Sequence, residues 1–298
     1  MAKFMWTGLL LLLFACTGRR VETLVIKGSD TEVNAVLQLA ERYMELDSAV
    51  SISITGGGSG VGVAALLNGK IDLANSSREL NSHELQYAEH HGLRIVPHIL
   101  AADALVIITH PSVGLDSLDM TQLAGLFAGD ITDWQALGAR PGPVSLYGRQ
   151  SNSGTFMYFR DKVLGRDFSP ALKQMNGTAQ IIEAVRNDPG AIGYVGLGYA
   201  AEPDGSPRAG IRVLGIIPAG QVTAVSPLHR DNLTQGRYPL LRPLYQFSIG
   251  EASGRLRAFL DFEQSAEGRR IIEENGYLPV EKGTFVTKGV DEVDKRGL

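Results

Sequence analysis

Between Gly56 and Gly62, five of seven positions are glycine, with Ser59 and Val61 as the exceptions. Glycine gives up more backbone freedom on ordering than any other residue, so such a run belongs where the chain must turn sharply or let something approach closely. Its flanks sharpen that constraint. Ser51-Ile52-Ser53-Ile54 alternates as a half-buried strand, and Val63, Leu66 and Leu67 then fall on one face of a short helix. Two further junctions have the same layout. Gly28-Ser29-Asp30-Thr31 follows the apolar run Leu24–Ile26 and enters a helical pattern, and Ser151-Asn152-Ser153-Gly154-Thr155 follows Val144–Tyr147 and Arg149. A helix start carries unpaired N–H groups and partial positive charge, so each junction is a candidate anion cradle.

The remaining pattern alternates. Val33, Val36, Leu37, Ala40 and Met44 define one helical face; Asn68-Gly69 ends the second helix, and Ile71–Ala74 reads as a third strand. A polar helix over Ser82–His90 precedes the long apolar run Ile95–Ile108. From about Pro111 a second set begins, with helices near Thr121–Phe127, after Gly154 and over Ala179–Arg186, and strands at Val144–Tyr147, Ala191–Val195 and Ile211–Ile216. Residues 200–210 form a surface loop. An apolar run from Tyr238 to Phe247 follows, then helices from about Ser253 and over Glu267–Glu274. Strands alternating with helices predict a layered, mainly parallel α/β architecture.

With 298 residues the chain is long enough for two domains, and its net charge of -4 gives no electrostatic case for nucleic acid. A small anion is a different matter, because local donors decide such a site. Other chemistries fit less well. Gly60-Val61-Gly62-Val63-Ala64-Ala65 matches a relaxed dinucleotide fingerprint, but the preceding glycines lengthen the turn and no acidic partner follows at a strand end. A Walker A loop requires Lys-Ser or Lys-Thr where Val63-Ala64 stands. Ser59 lacks the second glycine of a nucleophile elbow. His83, His90 and His91 share a solvated helix face without zincin spacing, and His98 reads as structural. Neither a cofactor nor a resident metal is expected.

Arg149 changes the reading of the third loop, since guanidinium donors beside helix-start amides and hydroxyls suit a tetrahedral oxyanion. In order, Lys27–Thr31, Thr55–Gly60, Ile71–Arg78, Leu126–Trp134, Arg149–Thr155, Ala191–Val195 and Tyr238–Leu244 resemble the phosphate-binding component of the bacterial phosphate ABC importer. The resemblance covers about residues 24–280. It implies a two-lobe, type II periplasmic-binding-protein-like α/β fold with the ligand in the cleft between lobes. By position, Ser29, Asp30 and Thr31 match the first binding loop, Ser59 the second, and Arg149, Ser153, Gly154 and Thr155 the third. Ser77 stands where some members carry a ligand-binding carboxylate. Asp30 is the candidate replacement; its competing role is to cap a helix beginning near Thr31.

The implied function is an extracytoplasmic receptor, not an enzyme, that captures inorganic phosphate and delivers it to permease and ATPase subunits. Alternatives are a receptor for sulfate, molybdate or tungstate, a phosphate-ester hydrolase or dinucleotide oxidoreductase, and a phosphate sensor or surface adhesion protein. Lys3, the apolar stretch Leu9–Ala15 and Leu13-Phe14-Ala15-Cys16 resemble a lipoprotein signal, with Cys16 lipidated. Cys16 is the only cysteine, so no internal disulfide is expected in a monomer held at a membrane by its lipid. Expected segments are residues 1–16 (signal region), 22–103 (lobe one), 104–239 (lobe two), 240–283 (return to lobe one) and 284–298 (mobile tail). Hinges are expected near Ala101–Ala104 and Tyr238–Leu244.

Overall fold

The computed structural model describes residues 22–202 and 204–280; Cys16, the signal region and the tail fall outside them. The first half runs β1 (Glu22–Gly28), α1 (Val33–Leu46), β2 (Val50–Thr55), α2 (Ser59–Leu67), β3 (Leu73–Ser76), α3 (Ser82–His90) and β4 (Ile95–Thr109). There follow β5 (Ser117–Asp119), α4 (Met120–Ala128), β6 (Ser145–Arg149), α5 (Gly154–Phe159), β7 (Lys173–Met175), α6 (Thr178–Asn187), β8 (Ala191–Gly196) and α7 (Leu197–Ala200). The chain closes with β9 (Arg212–Val213), β10 (Gly215–Ile217), α8 (Arg230–Thr234), β11 (Leu241–Ile249), α9 (Gly254–Glu263) and α10 (Ala266–Glu274).

Local chemistry accounts for these elements. Ala35, Val36, Leu39, Ala40 and Tyr43 recur at helical spacing and form the buried stripe of α1. Reciprocal capping boxes, Asn81 with Glu84 and Asp119 with Gln122, start α3 and α4. Strands β1, β2 and β3 pair in parallel because helices connect them.

The main sheet runs β2-β1-β3-β11-β4-β8-β6-β7, with β9 also on β4. Strand β4 holds the two lobes together. Ile95–Ala104 pairs antiparallel with β11, and Leu105–Thr109 pairs antiparallel with β8. Cores divide at the same place. One apolar cluster draws on residues between Ala104 and Leu240, with Phe127, Phe159 and Tyr194 interlocked within it and half-buried Phe168 packed on them. The others lie between Leu24 and Tyr277, without residues from that span.

Two strand assignments need correction. β3 begins at Leu73 rather than Ile71, since Asp72 turns its carboxylate to accept from the Val25 amide. Ile211–Ile216 is two strands: β9 pairs with β4, after which β10 leaves to pair in parallel with β5. Among the described residues no helix is long and apolar enough to cross a membrane.

A polar chain threads the lobe-one core. Gln246 Nε2 donates to Glu263 Oε1 at 3.0 Å and to Asn75 Oδ1 at 3.3 Å, with all three residues buried. Burial pushes the Glu263 carboxyl up to about 8, against the Gln246 bond that favours ionisation. The neutral acid is therefore the form the fold prefers. Stability from this site is complete below about pH 4.5, the ordinary value, and drains away as pH rises to about 8. Thermal denaturation of Glu263→Gln should show this slope removed, with a gain over wild type near pH 8 of about 4 kcal/mol. Parallel pH profiles for the two proteins would contradict it.

Candidate functional site

All three loops converge on one point between the lobes. The first is fixed from outside: Ser29 N donates to Asn75 O at 2.9 Å, Tyr199 Oη to Asp30 O at 2.7 Å, and Tyr277 Oη to Thr31 O. Helix α1 starts later than its sequence suggests, with Glu32 as N-cap. Asp30 is thus no helix cap. Its Oδ1 accepts from Gly57 N at 3.0 Å, and its Oδ2 accepts from Arg149 Nη2 at 2.5 Å, joining the first loop to the second and to the opposite lobe.

In the second loop Gly58 adopts φ 96°, a left-handed conformation that glycine supplies without steric cost, and its N–H donates to Gly28 O. The amide of Gly60 donates across the cleft to Asn152 O at 3.0 Å, so this helix-start donor is engaged between lobes. In the third loop Ser153 caps α5 by accepting from Thr155 N at 3.2 Å; Ser29 Oγ accepts from Thr31 N at the same distance. Ser29 and Ser153 therefore shape their loops. Gly154 allows the third loop to approach the second, because a Cβ there would stand 2.3 Å from Ser59 Oγ and 2.7 Å from Ser77 Oγ.

What remains at the centre is a line of hydroxyls. Thr31 Oγ1 lies 3.0 Å from Thr155 Oγ1, Thr155 Oγ1 lies 3.4 Å from Ser77 Oγ, and Ser77 Oγ lies 3.4 Å from Ser59 Oγ. All four residues are buried. Four hydroxyl protons face three links. Further donors also point in: Ser77 N to Ser59 Oγ at 3.1 Å, and Arg242 Nη2 to Thr155 Oγ1 at 3.0 Å and Thr31 Oγ1 at 3.4 Å. Three links use three of the four protons, so one hydroxyl proton is left without an acceptor in the cluster, and that is the polarity an oxyanion completes.

Arginines flank it on both sides. Arg149 is 1% exposed and also donates to Thr178 Oγ1 and Asn176 O, each at 2.9 Å, and to Met175 O. Four of its five N–H groups thus have protein partners. Arg242, which the sequence displayed only within an apolar segment, donates Nε and Nη2 to Asp103 Oδ2 at 3.1 and 2.9 Å, and Nη1 to Ser77 O at 3.3 Å. Burial raises the Asp103 carboxyl, while Arg242 and the Leu197 amide oppose that shift. A third acid was also missed. Glu32 is fully buried, and neither carboxyl oxygen has a hydrogen-bond partner. Burial holds it well above the usual range, against the nearby Arg242 charge; the Ser29 hydroxyl is close without being aligned as a partner.

Gly154→Ala tests the contact between lobes. The added methyl group meets two hydroxyls from lobe one, so the two-lobed form should lose about 1–3 kcal/mol in chemical denaturation. Gly154→Ala/Ser59→Ala should recover part of the loss. A single variant as stable as wild type would show that the loops do not approach this closely.

Comparisons with known proteins agree in kind. A family model described as a PBP superfamily domain matches residues 16–267. The phosphate-binding protein PstS of Pseudomonas aeruginosa is 30% identical over 272 residues, which cover 85% of this chain and 81% of that protein. PstS of Bacillus subtilis is 26% identical over 260 residues, with 87% and 81% covered. Among solved structures, a substrate-binding protein of Clostridium perfringens with bound phosphate superposes with TM-score 0.75 at 25% identity, covering 87% of this chain and all of that one.

Proposed function

The chain belongs to the PBP superfamily and, within it, to the PstS phosphate-binding proteins, and from that premise we propose that it is an extracytoplasmic receptor that captures inorganic phosphate for an ABC importer. One observation carries the reading: hydroxyls of Thr31, Ser59 and Ser77 meet that of Thr155 from the other lobe, in a buried cluster whose links leave one hydroxyl proton to donate. Phosphate offers acceptors in several directions and so links both lobes in one set of bonds.

Residues 22–103 and 240–280 form lobe one in this reading, and residues 104–239 form lobe two. The crossing strands bend near Ala101–Ala104 and Tyr238–Leu244. Capture lowers the free energy of the closed form, and the permease then recognises that form. Ser29, Ser153 and Gly154 shape the loops, while Thr31, Ser59, Ser77 and Thr155 donate to the anion. Arg149 supplies charge.

Asp30 provides the selectivity. Hydrogen phosphate keeps a proton near neutral pH and donates it to a carboxylate, whereas sulfate opposes lone pair to lone pair. Both Asp30 oxygens already accept one bond, yet a carboxylate has about four lone-pair sites, so capacity remains. The protein acts by binding, and no bond in the ligand is broken.

Isothermal titration with phosphate, sulfate and molybdate is the direct test. Phosphate alone should bind; sulfate or molybdate binding in its place would replace the ligand, and no binding would remove the reading. Arg149→Ala removes one partner of a buried charged pair and should weaken phosphate at least about 30-fold. Asp30→Asn should narrow the preference for phosphate over sulfate by more than it weakens phosphate itself.

At the N-terminus, Cys16 carries the lipid in this proposal, placing a monomer on the outer side of a membrane. Mass spectrometry of the mature protein should find acylated Cys16 as the first residue. An unmodified N-terminus elsewhere would exclude the anchor.

A further inference from the structure

We propose that Arg242 is a positioning residue that fixes the proton direction of the Thr31 and Thr155 hydroxyls, one from each lobe, and so couples the crossing strands to the bound anion. This inference rests on the phosphate-receptor reading but assigns a residue outside the three loops. Arg242 on β11 stands in register with Asp103 on β4, where the chain passes between lobes. Both are buried, at 1% and 0% exposure. Asp103 Oδ2 accepts from Nε and Nη2, and its Oδ1 accepts from Leu197 N of α7 at 3.3 Å. The guanidinium is thus clamped by a carboxylate that is itself tied to lobe two.

A guanidinium can only donate. One of the two Nη2 hydrogens goes to Asp103 Oδ2, and the other is shared between Thr155 Oγ1 and Thr31 Oγ1, at 3.0 and 3.4 Å, making acceptors of both. Each hydroxyl must direct its own proton elsewhere. Those two oxygens lie 3.0 Å apart, so one proton serves their mutual bond; with Thr31 as that donor, the Thr155 proton is sent along the line toward Ser77 and Ser59. At the far end Ser77 N donates to Ser59 Oγ, turning that hydroxyl outward. With obligate donors at both ends, the line presents a proton to the cleft before the anion arrives. Preorganised donors of this kind bind without reorientation on capture.

Coupling to closure follows from where the partners sit. Thr31 is on lobe one, Thr155 on lobe two, and Arg242 at the start of β11, where the chain returns from lobe two to lobe one. Only when both threonines reach Nη2 is the hydroxyl line complete. Separating the lobes removes at least one of these bonds and frees the hydroxyls to turn.

The test is a double-mutant cycle in phosphate affinity, with retention of the fold followed by circular dichroism. Arg242→Met/Asp103→Leu removes the pair together, because Arg242→Met alone leaves a buried carboxylate unpaired. Phosphate affinity should fall at least tenfold with the circular dichroism unchanged. Thr155→Val should weaken phosphate at least fivefold in wild type and less than twofold in the Met/Leu background. Arg242→Lys keeps a charge beside Asp103 but lacks the fork, and it should also lose at least fivefold; this arm decides the matter if the Met/Leu protein does not fold. Wild-type binding of phosphate together with additive effects, or with Arg242→Lys within twofold of wild type, overturns the inference and leaves the receptor reading intact. A wild type that binds neither phosphate, sulfate nor molybdate overturns both.

Discussion

The pair formed by Arg242 and Asp103 is the interaction on which the rest of the site depends. Two charges taken out of water are costly unless geometry and further hydrogen bonds repay the loss. Here the repayment is spread widely: the guanidinium donates to a carboxylate, a carbonyl and two hydroxyls, and the carboxylate also accepts a helix-start amide. No single element supplies these partners. They come from the first loop, the segment after β3, the third loop and α7. An arrangement that satisfies the pair therefore brings both lobes into register, and a hydrophobic replacement of equal volume would pack the strands without setting that register.

Charge is nearly balanced inside the cleft, which explains how a chain of net charge -4 can serve a small anion. Arg149 faces Asp30 and Arg242 faces Asp103. Burial favours the neutral form of Glu32 beside them, against the pull of the Arg242 charge. Attraction then comes from directed dipoles and from whatever positive potential the paired arginines leave. Hydroxyls suit this task because each can accept from a fixed donor behind it and donate to a ligand in front. A surplus of bare cations would attract any anion; oriented donors with one carboxylate impose a pattern of protons that an anion must match.

Much of the architecture was legible because periodicity and turn chemistry are local. The alternation of Ser51–Ile54, the stripe on α1, the polar helix Ser82–His90 and the three loops all signal their structure within a few residues. The roles inside the loops were less legible. Asp30 has the composition of a helix cap, yet its carboxylate is drawn away by Gly57 and Arg149, residues distant in sequence. Ser153 does cap its helix, where Ser59 instead turns its hydroxyl to Ser77. Asp103 and Arg242 did leave a trace. Each interrupts a strongly apolar run, and a charge placed in such a run requires a buried partner of opposite sign. Two such runs with opposite charges point to an antiparallel pair, but the register that brings them together is a property of the folded sheet.

The glycines of the loops acquire a common reason from the same geometry. A cradle for a lone anion needs its amides free, but Gly60 N is occupied by Asn152 O and Gly57 N by Asp30 Oδ1. Those amides are used to join loop to loop. The missing Cβ at Gly154 has a parallel effect, since it lets α5 approach Ser59 and Ser77 until the hydroxyls come into line. Backbone closeness is thus spent on assembling the side-chain donors. The hydroxyls can rotate, and in the reading proposed above they form the face presented to a ligand, oriented by the arginine behind them.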